Sequence, residues 1–172
     1  METDWTDSIL CRKDLVLSKL RHYYYSGLYV TGIIGQNNDI SFITDGLYLS
    51  NICIAYSLKD LKQYKVTHII NTVYGLDPAF PNDFKYLNLG LRDIPKENIQ
   101  KVLDECNEFI DDAIQNGGRV LVHCVFGVSR SASIVINYLM HSQNMSYTEA
   151  YDYVKDKRPI INPNSGFVNQ LS

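Results

Sequence analysis

RVLVHCVFGVSRSASIVINYLM, residues 119–140, decides how the rest of the chain is read. Its opening RVLVHC (119–124) is short, uninterrupted and apolar, the pattern of a central strand buried in a parallel sheet. Its close, IVINYLM (134–140), belongs to an apolar helix expected over about 130–144. Between them the loop from Cys124 to Arg130 has the form C-x5-R, with Gly127 inside it. In an open parallel sheet, ligands bind where loops leave the carboxyl ends of strands. Gly127 permits a tight turn, so that successive N–H groups converge on one point. The following helix adds free N–H groups and the positive end of its dipole. Together these make an anion pocket sized for one tetrahedral phosphate.

Outward from this segment, apolar runs and helical patterns alternate. GLYLSN (46–51), THIINTV (67–73) and KYLNLGL (85–91) read as further strands. The run at 85–91 is expected to neighbour the central strand. Helical stretches fall at about 56–64, 96–116, 130–144, 147–157 and from Ser165 to the end. Ser146 and Glu149 supply a capping box at the start of one of them. The expected fold is α/β: a central, mostly parallel sheet flanked by helices, formed by a domain over 40–172. Residues 1–39 read as an N-terminal helical extension. There Asp7 caps a helix to about Tyr25 carrying Ile9, Val16, Leu20 and Tyr23 on one side, and GQNND (35–39) makes a turn. Packing of this helix on the domain, or self-association through it, is expected.

Composition limits the classes. The chain has 172 residues, 45% hydrophobic and 20% charged, which suits one globular domain. The net charge of −3 leaves no basic excess for a nucleic-acid backbone. Cysteines at 11, 53, 106 and 124 form no CxxC pair and no histidine doublet accompanies them, so neither a metal site nor a disulfide framework is expected. Cys11, Cys53 and Cys106 read as small buried hydrophobes. METDWTDSIL (1–10) lacks a signal-peptide apolar run, and Glu2 excludes N-myristoylation. No stretch is long enough to span a membrane. An intracellular protein, cytoplasmic or nuclear, with no membrane insertion and no cofactor, is the expectation.

A thiol at the floor of an anion pocket changes its acidity. The donors that hold phosphate also favour a thiolate, and helix N-termini with nearby cations lower a cysteine pKa from about 8.5 to roughly 3.5–7.5. Cys124 would then be nucleophilic at neutral pH without a dedicated base. Arg130 brings a permanently charged planar fork for two phosphate oxygens. It would also stabilise charge on the equatorial oxygens during phosphoryl transfer. Expulsion of an alkoxide or phenoxide is helped by a proton donor aimed at the leaving oxygen. Asp93, in LGLRDIPKENI, lies 31 residues before Cys124, just after an expected strand. Asp77, in a proline-flanked turn, and Asp83, before its strand, compete with it.

HCVFGVSRS (123–131) resembles the signature loop of the dual-specificity branch of the cysteine-dependent protein tyrosine phosphatases. The resemblance extends over about 40–172. GLYLSN, its helix and THIINTV resemble the family's opening strands, and RPIINPNSGFVNQL (158–171) its closing segment. It implies a phosphocysteine mechanism acting on phosphotyrosine and phosphoserine or phosphothreonine in phosphoproteins, a kinase among the conceivable substrates. It gives Asp93 the role of general acid. Ser131 would donate to the Cys124 sulfur and help it leave, and His123 would orient the loop and tune the thiol. Val125, Phe126, Gly127, Val128 and Ser129 would cradle the phosphate with Arg130, and Asn164 would tie the closing segment to the loop.

Phe126 departs from the alanine of many members and bears on specificity. The lysines of lipid-directed relatives and the H-G-x-N-R-T of RNA-directed ones are absent, which favours protein substrates over RNA 5′ ends or phospholipids. Phosphopeptide-binding relatives without activity lack the cysteine or the arginine, and this chain has both. RKDLVL (12–17) has the look of a kinase docking peptide, a pattern that chance also produces.

Overall fold

In the computed structural model, which describes residues 40–172, the alternating runs become a five-stranded sheet. Its strands are β1 (Ser41–Thr44), β2 (Leu47–Ser50), β3 (His68–Val73), β4 (Lys85–Leu91) and β5 (Val120–His123). The order across the sheet is β1-β2-β5-β3-β4, with β1 antiparallel to β2 and every other pairing parallel. The helices are α1 (Ile52–Ala55), α2 (Leu58–Gln63), α3 (Leu103–Gln115, entered through a 3-10 turn at Gln100–Val102), α4 (Arg130–Gln143), α5 (Tyr147–Lys157) and α6 (Ser165–Leu171). The helix read over 7–25, the turn at 35–39, Cys11 and the 12–17 segment lie outside the described residues.

Side-chain alternation along the strands builds a core on each face of the sheet. Leu47 and Leu49 of β2, Ile70 of β3, and Val120 and Val122 of β5 pack with α3, α4, α5 and α6 on one face. Tyr48, Ile69 and Leu121 point to the other face, where Ile54, Ala55 and Leu61 of α1 and α2 cover them. β5 is therefore buried on both sides, as its unbroken apolar run requires.

Four readings need correction. β4 does not neighbour β5; β3 lies between them. The burial patterns give the reason: every residue of β3 is buried, whereas β4 exposes Lys85 and Asn88, as an edge strand can. The short strand β1 was not expected, because four residues carry too little alternation to stand out. The helix expected from 96 begins later, since residues 93–96 form bends and a turn around Pro95 and the Glu97 N–H donates to the Ile94 carbonyl at 3.0 Å. Cys53 is partly rather than fully buried. Among the described residues no helix is long and apolar enough to cross a membrane.

Candidate active site

β5 ends at His123, and the chain turns sharply through residues 124–129 before α4 begins at Arg130. Gly127 makes this turn with φ +68°, in the left-handed region that glycine adopts without strain. The loop's carbonyls are tied to its outside. The Ile52 N–H donates to Val125 O at 3.2 Å and the Asn162 N–H to Val128 O at 2.9 Å. Arg158, only 3% exposed, donates Nε to Gly127 O at 2.8 Å and Nη2 to Phe126 O at 3.4 Å. With these carbonyls held outward, loop N–H groups are free to face inward, as that of Gly127 does. Two donors close on the Cys124 sulfur, the Gly127 N–H at 3.1 Å and the Ser131 hydroxyl at 3.1 Å.

The start of α4 is unusual in a way that serves the sulfur. Ser129 occupies the N-cap but makes no side-chain capping bond. Its hydroxyl instead donates to Asp93 Oδ1 at 2.6 Å and accepts the Asn164 N–H at 3.0 Å. Beyond the Gly127 N–H and the Ser131 hydroxyl, the backbone N–H groups of Ser131, in the first turn of α4, and of Val128 also favour the Cys124 anion. Burial pushes this thiol up, but the Arg130 guanidinium, the Ser131 hydroxyl and those N–H groups together hold it below its ordinary value.

Arg130 is 8% exposed and is steered from behind by Nη1, which donates to Leu91 O at 3.3 Å. Its Nε is buried without a hydrogen-bond partner, and Asp93 Oδ2 lies 3.6 Å from it. A buried donor left in this state is costly unless an anion completes it. Asp93 stands on the loop after β4, one third exposed, and its Oδ1 also accepts from Asn164 Nδ2 at 2.9 Å. Asn164 caps α6 as well, through Oδ1 to the Phe167 N–H at 3.1 Å. Asp77 and Asp83 have no bond to this group; the Asp77 carbonyl accepts the Tyr56 hydroxyl and Asp83 pairs with Lys62.

His123 is buried beneath the loop, and its carbonyl accepts the Thr72 hydroxyl at 2.9 Å. Burial pushes its imidazole down to about 4; a bond with the Cys124 backbone opposes this and the Arg130 charge adds to it. The ring is thus neutral at physiological pH. The residues singled out from sequence (Cys124, Arg130, Ser131, His123, Asp93, Asn164 and the loop 125–129) meet at the carboxyl end of β5. Sequence reasoning missed Arg158 and Thr72. Arg158 opens the closing RPIINP stretch, directly after a helix, and the carbonyls it serves are far away in sequence. Among the described residues no group of three His, Cys, Asp or Glu is gathered to hold a metal ion.

Comparison with known proteins agrees with this geometry. The family model for the dual specificity phosphatase catalytic domain matches residues 47–172. Dual specificity protein phosphatase 1 of Arabidopsis thaliana is 44% identical over 136 residues, which cover 79% of this chain and 69% of that protein. Dual specificity protein phosphatase 19 of Mus musculus is 44% identical over 132 residues, covering 77% and 60%. The crystal structure of a human tyrosine phosphatase-like serine/threonine/tyrosine-interacting protein superposes with a TM-score of 0.74 at 40% identity, over 78% of this chain and 94% of that one. From the matched stretch and these identities, the chain belongs to the dual specificity phosphatase family and contains its protein phosphatase catalytic domain.

Proposed function

We propose that residues 40–172 hydrolyse phosphotyrosine and phosphoserine or phosphothreonine in phosphoproteins, in two steps centred on Cys124. The thiolate attacks phosphorus, the ester P–O bond breaks, and Asp93 gives its proton to the departing oxygen. Water then loses a proton to Asp93 and attacks phosphorus. The S–P bond breaks, inorganic phosphate leaves, and Ser131 donates to the sulfur as its charge returns. Arg130 and the loop N–H groups of 125–130 bind the equatorial oxygens throughout, a preorganised complement to charge that costs no reorganisation as it develops. His123, being neutral, acts by position. Asn164 and Ser129 aim the Asp93 carboxylate. Intracellular action is the natural setting, because a reduced thiol is required.

One observation carries this reading: the sulfur of buried Cys124 accepts the Gly127 N–H and the Ser131 hydroxyl, each at 3.1 Å, beside an arginine Nε with no hydrogen-bond partner. Turnover of a small aryl phosphate in EDTA, inhibited by vanadate, is the expected result. Asp93→Asn should slow it by about 10²–10⁴-fold, the usual worth of acid–base assistance. Binding of vanadate without any turnover would make the chain a phosphate-binding module and overturn the proposal.

A further inference from the structure

Among the described residues the large hydrophobic side chains left exposed are Phe42, Tyr74, Ile94 and Phe126, each at 45 to 50%. Tyr74, Ile94 and Phe126 stand just past the carboxyl ends of β3, β4 and β5, strands that adjoin in the order β5-β3-β4. They therefore share the edge of the sheet on which Cys124 lies. The Tyr74 N–H donates to Leu91 O at 3.1 Å, and the Arg92 guanidinium lies 4.6 Å over its ring. Ile94 follows Asp93 directly. The Phe126 carbonyl is bonded by Arg158, and its neighbour Gly127 accepts Arg158 Nε at its carbonyl and donates its N–H to the Cys124 sulfur. Exposed apolar groups on the same sheet edge as an anion pocket are unexpected for solvation alone and mark a binding surface.

We propose that Phe126, Tyr74 and Ile94 form an apolar collar that makes phosphotyrosine the preferred substrate side chain over phosphoserine and phosphothreonine, a refinement that rests on the phosphatase reading above. Cys124 is only 1% exposed, so an ester with phosphorus beside its sulfur must reach over the collar. In phosphoserine and phosphothreonine a single carbon joins the ester oxygen to the peptide backbone. Seating that phosphate draws backbone N–H and C=O groups down among apolar side chains, where their hydration is lost. Phosphotyrosine sets a whole ring between phosphate and backbone. The ring comes level with Phe126, where aromatic contact is favourable, and the backbone stays in water.

The test compares kcat/KM for two peptides identical except for phosphotyrosine or phosphothreonine. Intrinsic leaving-group reactivity differs between them, so the informative quantity is the change in their ratio on substitution. Phe126→Ala and Tyr74→Ala should each lower the phosphotyrosine-to-phosphothreonine ratio about 3- to 10-fold, the size of one aromatic contact, chiefly through a higher KM for phosphotyrosine. Phe126→Tyr should keep the wild-type ratio. Ratios within about twofold of wild type in both alanine variants, with turnover intact, overturn the collar and leave the phosphatase reading standing. A wild-type protein that turns over neither peptide nor a small aryl phosphate overturns the phosphatase reading, and the collar with it.

Discussion

Cys106 and Cys124 are equally buried, yet their thiols shift in opposite directions. Burial takes Cys106 up to about 12, with Glu105 adding to it, because nothing in the core of α3 compensates the anion. Cys124 meets the same burial but also Arg130, the Ser131 hydroxyl and inward N–H groups, and the donors win. Removing one of them has a readable consequence. Ser131→Ala should move the rising limb of the kcat/KM–pH profile up by about 1–2 pH units, the worth of one hydrogen bond to a charged group. It should also slow release of phosphate from the phosphocysteine, seen as a burst of alcohol product. His123 makes a separate prediction for stability. Its folded pKa of about 4 lies below the unfolded value of about 6.5, so the unfolded chain binds its proton first. Stability is full above pH about 6.5 and declines as pH falls toward the folded value, by on the order of 3 kcal/mol. His68, also lowered by burial, adds in the same direction. Urea unfolding followed from pH 7 to about 4 should show the decline, and His123→Gln should remove most of it.

At the scale of elements, the site depends on how a loop is gripped from outside. Arg158→Ala strips donors from the Gly127 and Phe126 carbonyls. Each buried acceptor left unpaired costs about 1–3 kcal/mol, and the N–H groups on the opposite side lose their aim. Vanadate affinity and kcat should fall together, measured by calorimetry and turnover, although Arg158 is itself buried. Gly127→Ala should behave alike, because its Cβ would lie 2.7 Å from Ser50 O and Arg158 Nη2 at a φ of +68°. Asn164 separates two tasks. Asn164→Ala should lose the α6 cap, about 1 kcal/mol, and slow the chemistry; Asn164→Asp should restore the cap but not the donor to Asp93, so melting recovers and kcat does not. Much of this was legible. C-x5-R with an internal glycine between an apolar strand and helix specified the pocket, since each residue type has a local reason to be there. Arg158 was not legible, because the carbonyl it serves lies 31 residues away and nothing local marks the pairing. Ser129 read as a phosphate-loop residue, and only the fold shows its hydroxyl turned toward Asp93.

For the whole molecule, a parallel sheet gathers the carboxyl ends of β2, β3, β4 and β5 on one edge, and residues from distant parts of the chain converge there. The strand–helix alternation conveyed this architecture because buried parallel strands have strong apolar runs. The lateral order of β3 and β4 escaped, since it depends on which strand both cores can cover. Ile70, fully buried in β3, reports on that arrangement: Ile70→Ala should destabilise by about 2–5 kcal/mol in denaturant unfolding while leaving the Cys124 loop chemistry intact in the folded fraction. The central claim, that this edge of the sheet holds an ionised sulfur, is tested most directly by the pH dependence of alkylation of Cys124 with iodoacetamide, read by mass spectrometry of its peptide. The account predicts a midpoint below the ordinary thiol value of about 8.5 that rises in Arg130→Met. A midpoint at or above that value, unmoved by the arginine substitution, would contradict it.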